Sequence, residues 1–550
     1  MVAGQTREAF RLNPLAKAQT FRWGVYDIEA ENWWNLVMVG VYDGKFYSCF
    51  RSIEELLNHC LQNKYRGWRF FAHNGGRYDC NFIFDYLRET SPPDVHFRFY
   101  CAGSRVVSFT VYRGKNWVRF CDSYQLLPSS QARLAESFGV EHQKGELDIY
   151  SVDYNRNDCL GLYEILETFF EETGTMAETF AAHALKLWRK DFQQAALYKP
   201  ARWIEDRIRE SYAAGRVEIF HKTGEVACYD VNSMFPWAMC QPVPIRYRGR
   251  TRGIDQPDTR MAFLEAEVTY PDTYVPALPY RHGKLLFPVG SFTGIWTNWE
   301  LQQAVEDGAS VSVTDGYLFD CETIFEGYVN QWYQVKRKAP QGDPMRIISK
   351  FLLNSLYGKF GQTRDKRIFE LWKHQNDYAP LYDEEGRETG ICYKRVEAGS
   401  AHLLPHISAA ITSRSRIRLL QALRKYDPYY CDTDCIFTDV DLPIGTDLGD
   451  WSQDLPPASA EFFQAKLYRH GEQWKSKGLS KATVKQLEGY VRGSPYTFNR
   501  HGSVLESTRK SSPACRMVEV TKTLRDEFPK RPWVGENDTR PWRMEGEQLR

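Results

Sequence analysis

The sequence predicts a multidomain chain of the α/β and α+β classes, and three observations predict it. Over residues 1–173 short apolar runs alternate with helical periodicity, as expected for strands and helices over a mixed sheet. Residues 175–192 and 201–212 read as helices, a connector. From residue 213 onward strand patterns dominate (226–239, the stretch after 261, 429–438), interrupted by a helical segment at about 325–361. At 550 residues the chain is long enough for three or four domains, and 43% hydrophobic with 15% aromatic residues suffices for a large core. No internal repeat is present.

The N-terminal unit opens with a strand at residues 21–30 that carries Asp27-Ile28-Glu29. A period of two places both carboxylates on one face, where they can share a metal. The apolar run 68–72 leads into Asn74-Gly75-Gly76-Arg77-Tyr78-Asp79, so that Asp79 opens a helix from a glycine-rich turn. Residues 154–174 carry Leu160, Leu162, Tyr163, Leu166 and Phe170 at helical spacing. At its start Tyr154 and Asp158 lie four apart on one face. Singly, each of these is also an ordinary surface contact. In this order, four acids and a tyrosine suit two-metal phosphodiester hydrolysis, the tyrosine orienting the attacking water.

In the second unit, Cys228-Tyr229-Asp230 ends a buried strand, and Ser233-Met234-Phe235-Pro236 turns into a helix start that can offer backbone N–H groups to a phosphate. Tyr430-Cys431-Asp432-Thr433-Asp434 reads as a tight hairpin between two short strands. Such crowded, apolar-flanked carboxylates raise one another's pKa, and Mg²⁺ (or Mn²⁺) would supply the missing counter-charge. Between the two aspartate segments stands Lys350-Phe351-Leu352-Leu353-Asn354-Ser355-Leu356-Tyr357-Gly358. Asp343 is its N-cap, Pro344 fits the first turn and Gly358 suits the exit. At about 100° per residue, Arg346, Lys350, Asn354 and Tyr357 share one face and the apolar residues cover the rest. The stripe provides cations for a triphosphate and a flat ring for base and sugar. Alone it is equally an amphipathic helix with solvated charges; with both aspartate segments it predicts nucleotide polymerisation by two metals, one for the primer 3′-hydroxyl and one for the pyrophosphate.

These segments resemble family B DNA polymerases with a 3′–5′ proofreading exonuclease, and more narrowly the protein-primed branch of phages and linear plasmids. The resemblance implies a ribonuclease H-like exonuclease domain (1–173), a helical connector (174–212) and a palm-fingers-thumb polymerase domain (213–550), with fingers at about 325–361 and thumb at about 479–550. It implies that Asp27, Glu29, Asp79 and Asp158 hold the exonuclease metals, that Tyr154 positions water and that Lys144 assists. In the polymerase centre Asp230 and Asp434 would be the main ligands, two metals per site, and Asp432 a supporting acid. Lys350, Asn354, Tyr357 and a second phosphate-facing cation, Lys338, would hold the dNTP. Phe235 stands where the family usually has tyrosine; it keeps the ring that blocks a ribose 2′-hydroxyl. Cys435 replaces a usual serine.

For DNA, Asn74, Tyr78, Ser123 and Tyr124 resemble the family's single-strand ligands. Tyr212-Ala213-Ala214-Gly215 resembles a Tyr-x-Gly-Gly/Ala element, with Tyr212 and Gly215 matching. Lys466-Leu467-Tyr468 matches a Lys-x-Tyr primer motif, in which strand alternation would aim Lys466 and Tyr468 together. The exonuclease strand near residue 21 leaves no room for a large preceding domain, which favours the protein-primed branch. Residues about 280–322 and 363–400 resemble its two insertions, which in relatives bind a terminal protein and encircle template. They are otherwise palm decoration and a fingers loop.

Charge excludes a general attraction to nucleic acid, since 71 Lys and Arg face 70 Asp and Glu. Binding must use patches. Arg492, Arg500, Arg509, Lys510, Arg516, Lys522, Arg525, Lys530 and Arg531, interleaved with Tyr490, Tyr496 and Phe498, form either a phosphate-contacting thumb or a solvated basic surface. After Pro529 the composition predicts a loosely ordered tail. Thirteen cysteines without a Cys-x-x-Cys pair indicate neither zinc nor disulfides and fit a reducing compartment. No segment has membrane-spanning length or a secretory core; Arg7, Arg11 and Lys17 belong either to an organellar leader or to a short arm. The expected protein is a soluble monomer in a host cytoplasm or an organelle, acting on primer-template and single-stranded DNA, with a terminal protein as a further partner. Alternatives are a family B polymerase using an ordinary or self-made primer, a reverse transcriptase, and a non-catalytic replication protein.

Overall fold

In the computed structural model, which describes residues 11–141, 147–371, 377–397, 400–524 and 529–549, the strand Trp23–Glu31 lies inside a mixed ten-stranded sheet. It pairs in parallel with Arg69–Ala72 and antiparallel with Asn35–Tyr42; Arg69–Ala72 in turn pairs in parallel with Asn116–Asp122. Both faces are covered, so the strand is apolar except at Asp27, Glu29 and its end. The helices Asp79–Thr90 and Val152–Thr173 bring the remaining acids to it. Gly174 closes the second helix in a left-handed conformation (φ 62°).

The connector helices are Phe180–Asp191 and Arg202–Ser211. Buried Trp188 packs on Phe325 and Phe360, at 5.0 and 5.8 Å between ring centroids, and Phe180 meets Phe351 at 5.4 Å. The fingers are two helices, Glu326–Lys338 and Pro344–Phe360. Asp343 caps the second, accepting from the Met345 N–H at 2.7 Å. That helix does not leave at Gly358: it runs to Phe360 and ends on Gly361, because Phe360 has a fully buried seat against Trp188.

The palm is a seven-stranded sheet with Thr223–Val231 between Cys435–Thr438 and Trp451–Gln464. The hairpin partner Pro428–Asp432 and the short strand Val217–Ile219 continue one edge. A second, six-stranded sheet contains Val243–Arg250, Arg260–Tyr270, Val289–Thr297 and Ser310–Glu322. Residues 280–322 therefore do not stand apart as an insertion; most of them are inner strands of a sheet that begins at Val243. After the fingers helices the described strands Asp365–Leu371, Ala379–Tyr382 and Glu388–Glu397 follow, and Asp365–Leu371 adds to the ten-stranded sheet through Ile368↔Tyr100 and Phe369↔Phe99. Stacked rings of Phe99 and Phe369 (5.1 Å) and an Arg98–Glu370 ion pair (2.5 Å) hold the junction.

The thumb, with Tyr496–His501 paired to Met517–Lys522, docks on the N-terminal helix Asp79–Thr90. The Asp85 carboxylate accepts the N–H groups of Ala514 (2.8 Å) and Cys515 (3.0 Å). The hairpin ends at Lys522, and the described residues after Pro529 are not a loose tail. Arg543–Glu545 joins the six-stranded sheet parallel to residues 289–291, Met544 is fully buried, and Arg531 lies over the Phe220 and Tyr274 rings. Composition misled here because a few apolar and cationic residues carry the packing. Arg531 is accordingly no phosphate contact, and Lys510 and Arg500 share Glu506. Arg7 and Arg525 lie outside the described residues. Among the described residues no helix is long and apolar enough to cross a membrane.

Candidate active sites

The palm centre is set by strand register. Asp230 pairs with Cys435, and the Val231 N–H donates to the Asp434 carbonyl at 2.9 Å, so Asp230 and Asp434 are adjacent across two strands. The turn between Asp432 and Cys435 is tight enough to put Thr433 at φ 68°. Its N–H donates to the Arg216 carbonyl (2.7 Å), and a Cβ on Gly215 would stand 2.6 Å from the Thr433 methyl. Only glycine fits there, which is the physical content of the Tyr212–Gly215 element. Arg416, paired with Glu300 at 2.7 Å, fixes the same segment by donating to the Ala213 carbonyl at 2.6 Å.

Burial, and next the neighbouring Asp434, push the Asp230 carboxyl up to about 7, against the pull of Lys336 and Lys350. Burial and then Asp432 push Asp434 up to about 6. Both groups thus stand where a divalent cation would discharge them. Asp432 is differently placed. The Lys466 ammonium pairs with it at 2.5 Å, and the Tyr430 hydroxyl donates to it at 3.3 Å. Lys466 is not on a strand: it occupies the turn before Leu467–His470 with φ 66°, and only Tyr468 lies in the strand, packed 5.5 Å from the Tyr430 ring. The turn rather than strand alternation aims this lysine.

Opposite the acids, Phe235 and Tyr357 stack at 4.5 Å with rings 17° apart, one from the helix Met234–Met239 and one from the fingers. Lys350 and Asn354 are exposed on the same helix as Tyr357. The lysine of this basic run that lies beside the acids is Lys336, whereas Lys338 is exposed. Lys336 donates to the Ser233 hydroxyl at 3.0 Å, and its ammonium is pulled down by burial and then by Lys350. Two positions along a helix turn the side chain by about 200°, and Lys338, the last helical residue, points to solvent. The spacing signal that could have found Lys336 is its place one turn after buried Trp332 and Tyr333.

The second centre lies on the ten-stranded sheet. Ligand atoms of Asp27, Glu29 and Asp158 all fall within 4.8 Å of one another. Asp79, in the first turn of its helix, accepts the Ile28 N–H at 3.1 Å, between the two strand acids. Its carboxyl is pushed up to about 7, first by burial and also by Asp122 and Glu29, and all four acids together with burial raise the Cys159 thiol. Tyr154 is buried one turn before Asp158. Asn155, which sequence reasoning passed over, donates to the Asp27 carboxylate at 3.0 Å and accepts from the Tyr47 hydroxyl at 2.8 Å. Lys144 lies outside the described residues.

Around this centre Asn74 adopts φ 62° and accepts from Arg105 at 3.0 Å. Arg105 also pairs with buried Asp122 at 2.6 Å and covers the Tyr124 ring at 4.6 Å. Tyr78 and Tyr124 are half-buried. Ser123 is not presented to a strand: its side chain is buried, bonded to His73 (3.0 Å) and to the Ala72 carbonyl (3.3 Å).

The donor sets of both centres are all-oxygen, the chemistry that hard divalent cations such as Mg²⁺ require. The family model for DNA polymerase type B, organellar and viral, matches residues 59–153 and 148–436. A probable DNA polymerase of Neurospora intermedia is 25% identical over 574 aligned residues, covering 86% of this chain and 59% of that protein. The DNA-directed DNA polymerase of Enterobacteria phage PRD1 is 24% identical, covering 78% of each. The chain spans about half the length of the fungal relatives it matches. The solved structure of phi29 DNA polymerase complexed with primer-template DNA and incoming nucleotide shares the fold, with a TM-score of 0.71 at 17% identity over 91% of this chain and 100% of that one.

Proposed function

Starting from the membership of this chain in the type B DNA polymerases, organellar and viral, which a match over most of residues 59–436 establishes, we propose that it is a template-directed DNA polymerase with a 3′–5′ exonuclease, each activity served by its own pair of divalent cations. The observation that carries the reading is the pairing of Asp230 with Asp434 across two strands, facing the Phe235–Tyr357 stack and the Lys336–Lys350 pair. Asp230 and Asp434 would hold the ions of the palm. Divalent cations held there would supply Lewis acidity for the primer 3′-hydroxyl and charge neutralisation for the departing pyrophosphate.

The protein's own groups account for the rest. Lys350 and Lys336 attract the triphosphate, and the Phe235 and Tyr357 rings form a floor for the sugar on which a 2′-hydroxyl has no room. Asp432 stores the Lys466 ammonium beside the acids, from where it can reach a primer phosphate. In the second centre Asp27, Glu29, Asp79 and Asp158 would hold the ions, and Tyr154 orients water toward the terminal phosphodiester. Asn155 keeps Asp27 turned inward.

Processive, strand-displacing synthesis is the natural mode for this arrangement. The thumb is tied to the exonuclease through Asp85 and to the 363–400 segment through the Glu384 N–H, which donates to the Arg509 carbonyl at 2.9 Å. A DNA substrate inside that circuit of contacts dissociates slowly. Priming by a protein hydroxyl is the reading that the PRD1 and phi29 relatives favour.

The test is purified protein with labelled primer-template, dNTPs and Mg²⁺. Extension is expected, and absence of extension by folded protein refutes the polymerase reading. Asp434→Ala should stop extension and leave 3′ trimming, whereas Asp27→Ala with Asp79→Ala should do the reverse. Parallel loss of both activities in each variant would refute two separate centres. Covalent labelling of a candidate terminal protein by a radioactive dNTP tests the priming mode against oligonucleotide-only priming.

A further inference from the structure

Lys530 lies in the segment that follows the thumb, and its backbone is fixed on both sides. Just before it, the Pro529 carbonyl accepts the Trp542 indole N–H at 2.9 Å. Just after it, buried Arg531 donates to the Thr539 hydroxyl at 2.9 Å and covers the Phe220 ring at 4.6 Å. Thr539 donates in turn to the Ile219 carbonyl at 2.7 Å, which ties the segment to the strand Val217–Ile219. That strand is the neighbour of the acid hairpin, with Val217 opposite Asp432. The aliphatic stem of Lys530 thus starts from a fixed point beside the palm centre.

Lys530 lines a cavity of about 180 Å³ together with Val217, Glu218, Gln464, Ala465 and Lys284. Val217 and Ala465 locate it: one is the partner of Asp432 and the other precedes Lys466, so the cavity flanks the Asp432–Lys466 pair. The acids there are already engaged. Glu218 is held by Arg216 at 2.5 Å and approached by Arg531 at 3.8 Å, and Asp432 is held by Lys466 at 2.5 Å. Lys530 is half-buried and makes no ion pair among the described residues, and burial pushes its ammonium down. Arg216, Arg531, Lys466 and Lys530 therefore stand against only two carboxylates, Glu218 and Asp432. A half-buried ammonium without a counter-charge destabilises the fold that holds it, and an arriving anion relieves that cost. The cavity falls short of the ~300–1,000 Å³ typical of pockets that enclose a drug-sized ligand. It admits a phosphodiester group and not a whole nucleoside triphosphate.

We propose that Lys530 is a further primer-strand contact, supplied by the segment after the thumb, which binds a backbone phosphate next to the one that Lys466 reaches. The inference rests on the polymerase reading of the palm, in which Lys466 meets the primer. Lys530 touches the DNA backbone and none of the reacting atoms, so it acts on the hold of the primer-template and not on the chemical step. The segment that carries it thereby serves the site as well as the packing of the palm.

The experiment measures fluorescence anisotropy of a labelled primer-template with the full chain in EDTA over a range of salt concentrations, and separately steady-state extension in Mg²⁺. Lys530→Gln should weaken binding by about three- to tenfold, the loss of one charge-assisted contact, and reduce the salt slope by about one. Lys530→Arg should restore most of both. In extension, Lys530→Gln should raise KM for primer-template while kcat and KM for dNTP stay within about twofold. Its Tm should hold or rise, because a half-buried charge is removed; a fall in Tm that arginine does not rescue would mark a structural role and overturn the contact. Methylphosphonates at the last phosphates of the primer should erase the difference between wild type and Lys530→Gln, and the same groups in the template should not. The reverse pattern, or unchanged affinity and salt slope, would overturn the proposal while leaving extension by the wild type intact. Wild-type protein that binds primer-template through Lys530 yet never extends it would support the contact and overturn the polymerase reading.

Discussion

Replacing Asp79 with asparagine should flatten the pH dependence of the N-terminal unit's stability. Its carboxyl titrates at about 7 in the folded protein against an ordinary 3.8, chiefly because it is buried. For a carboxyl raised in this way the folded state is favoured where the group is protonated, so its contribution is present at low pH and is lost as pH rises from the unfolded value through 7. A gap of about three pH units sets a ceiling of about 4 kcal/mol, of which about 2–3 kcal/mol falls between pH 5 and 8. For a unit of about 170 residues this is a fall of roughly 5–10 °C in Tm. Asparagine removes the charge, and its Oδ1 can still accept the Ile28 N–H that Asp79 accepts at 3.1 Å. Calorimetry in EDTA at four pH values should therefore show a Tm that falls toward pH 8 in the wild type and a flatter profile, higher at pH 8, in Asp79→Asn. Mg²⁺ at pH 8 should raise the wild-type Tm more than that of the variant. Equal slopes for the two proteins would refute the assignment of this penalty to Asp79.

Phe235→Ala removes one ring of the 4.5 Å stack and should raise ribonucleotide incorporation relative to deoxyribonucleotide by about 10- to 100-fold, measured by single-nucleotide extension. Lys336→Gln should lower kcat/KM for dNTP by about tenfold or more, the loss of one charge-assisted contact, whereas Lys338→Gln should stay within about twofold; the reverse order would restore Lys338 to the site. Deleting residues 530–550 removes buried Arg531 and Met544 and should cost about 3–5 kcal/mol, seen as a lowered urea midpoint or as insoluble protein. A truncated chain of undiminished stability would contradict the packing of this segment on the palm.

The acids that cluster into the two candidate centres were the most legible part of the sequence, for a physical reason. Asp27 and Glu29, Asp79 after its glycine turn, and the Asp432–Asp434 hairpin are each fixed by local rules of strand alternation, turn chemistry and capping. Long-range register then brought Asp230 to Asp434, and no local rule could have done so; the resemblance to polymerases supplied that step. What escaped was tertiary. Lys336 and Lys338 are indistinguishable in a basic run until a packed helix face separates them. Ser123 looks accessible until His73 is seen to hold it, and Asn155 reads as a spacer until Asp27 is folded against it. The final segment is rich in charge and proline, yet buried Met544 and Arg531 give it a seat that composition cannot reveal.

The β-ladder that welds the strand Asp365–Leu371 to the ten-stranded sheet, through Ile368 and Phe369, constrains how the two candidate centres can move relative to each other. The segment leaves the fingers directly, so a swing of one catalytic half away from the other would have to break backbone hydrogen bonds and the Phe99–Phe369 stack. The frame is stiff at that seam. On the proposed reading of the second centre, a mispaired terminus would then do the travelling itself, melting from its template and crossing a fixed gap, so that trimming would be timed by the fraying of DNA and not by a hinge of the enzyme.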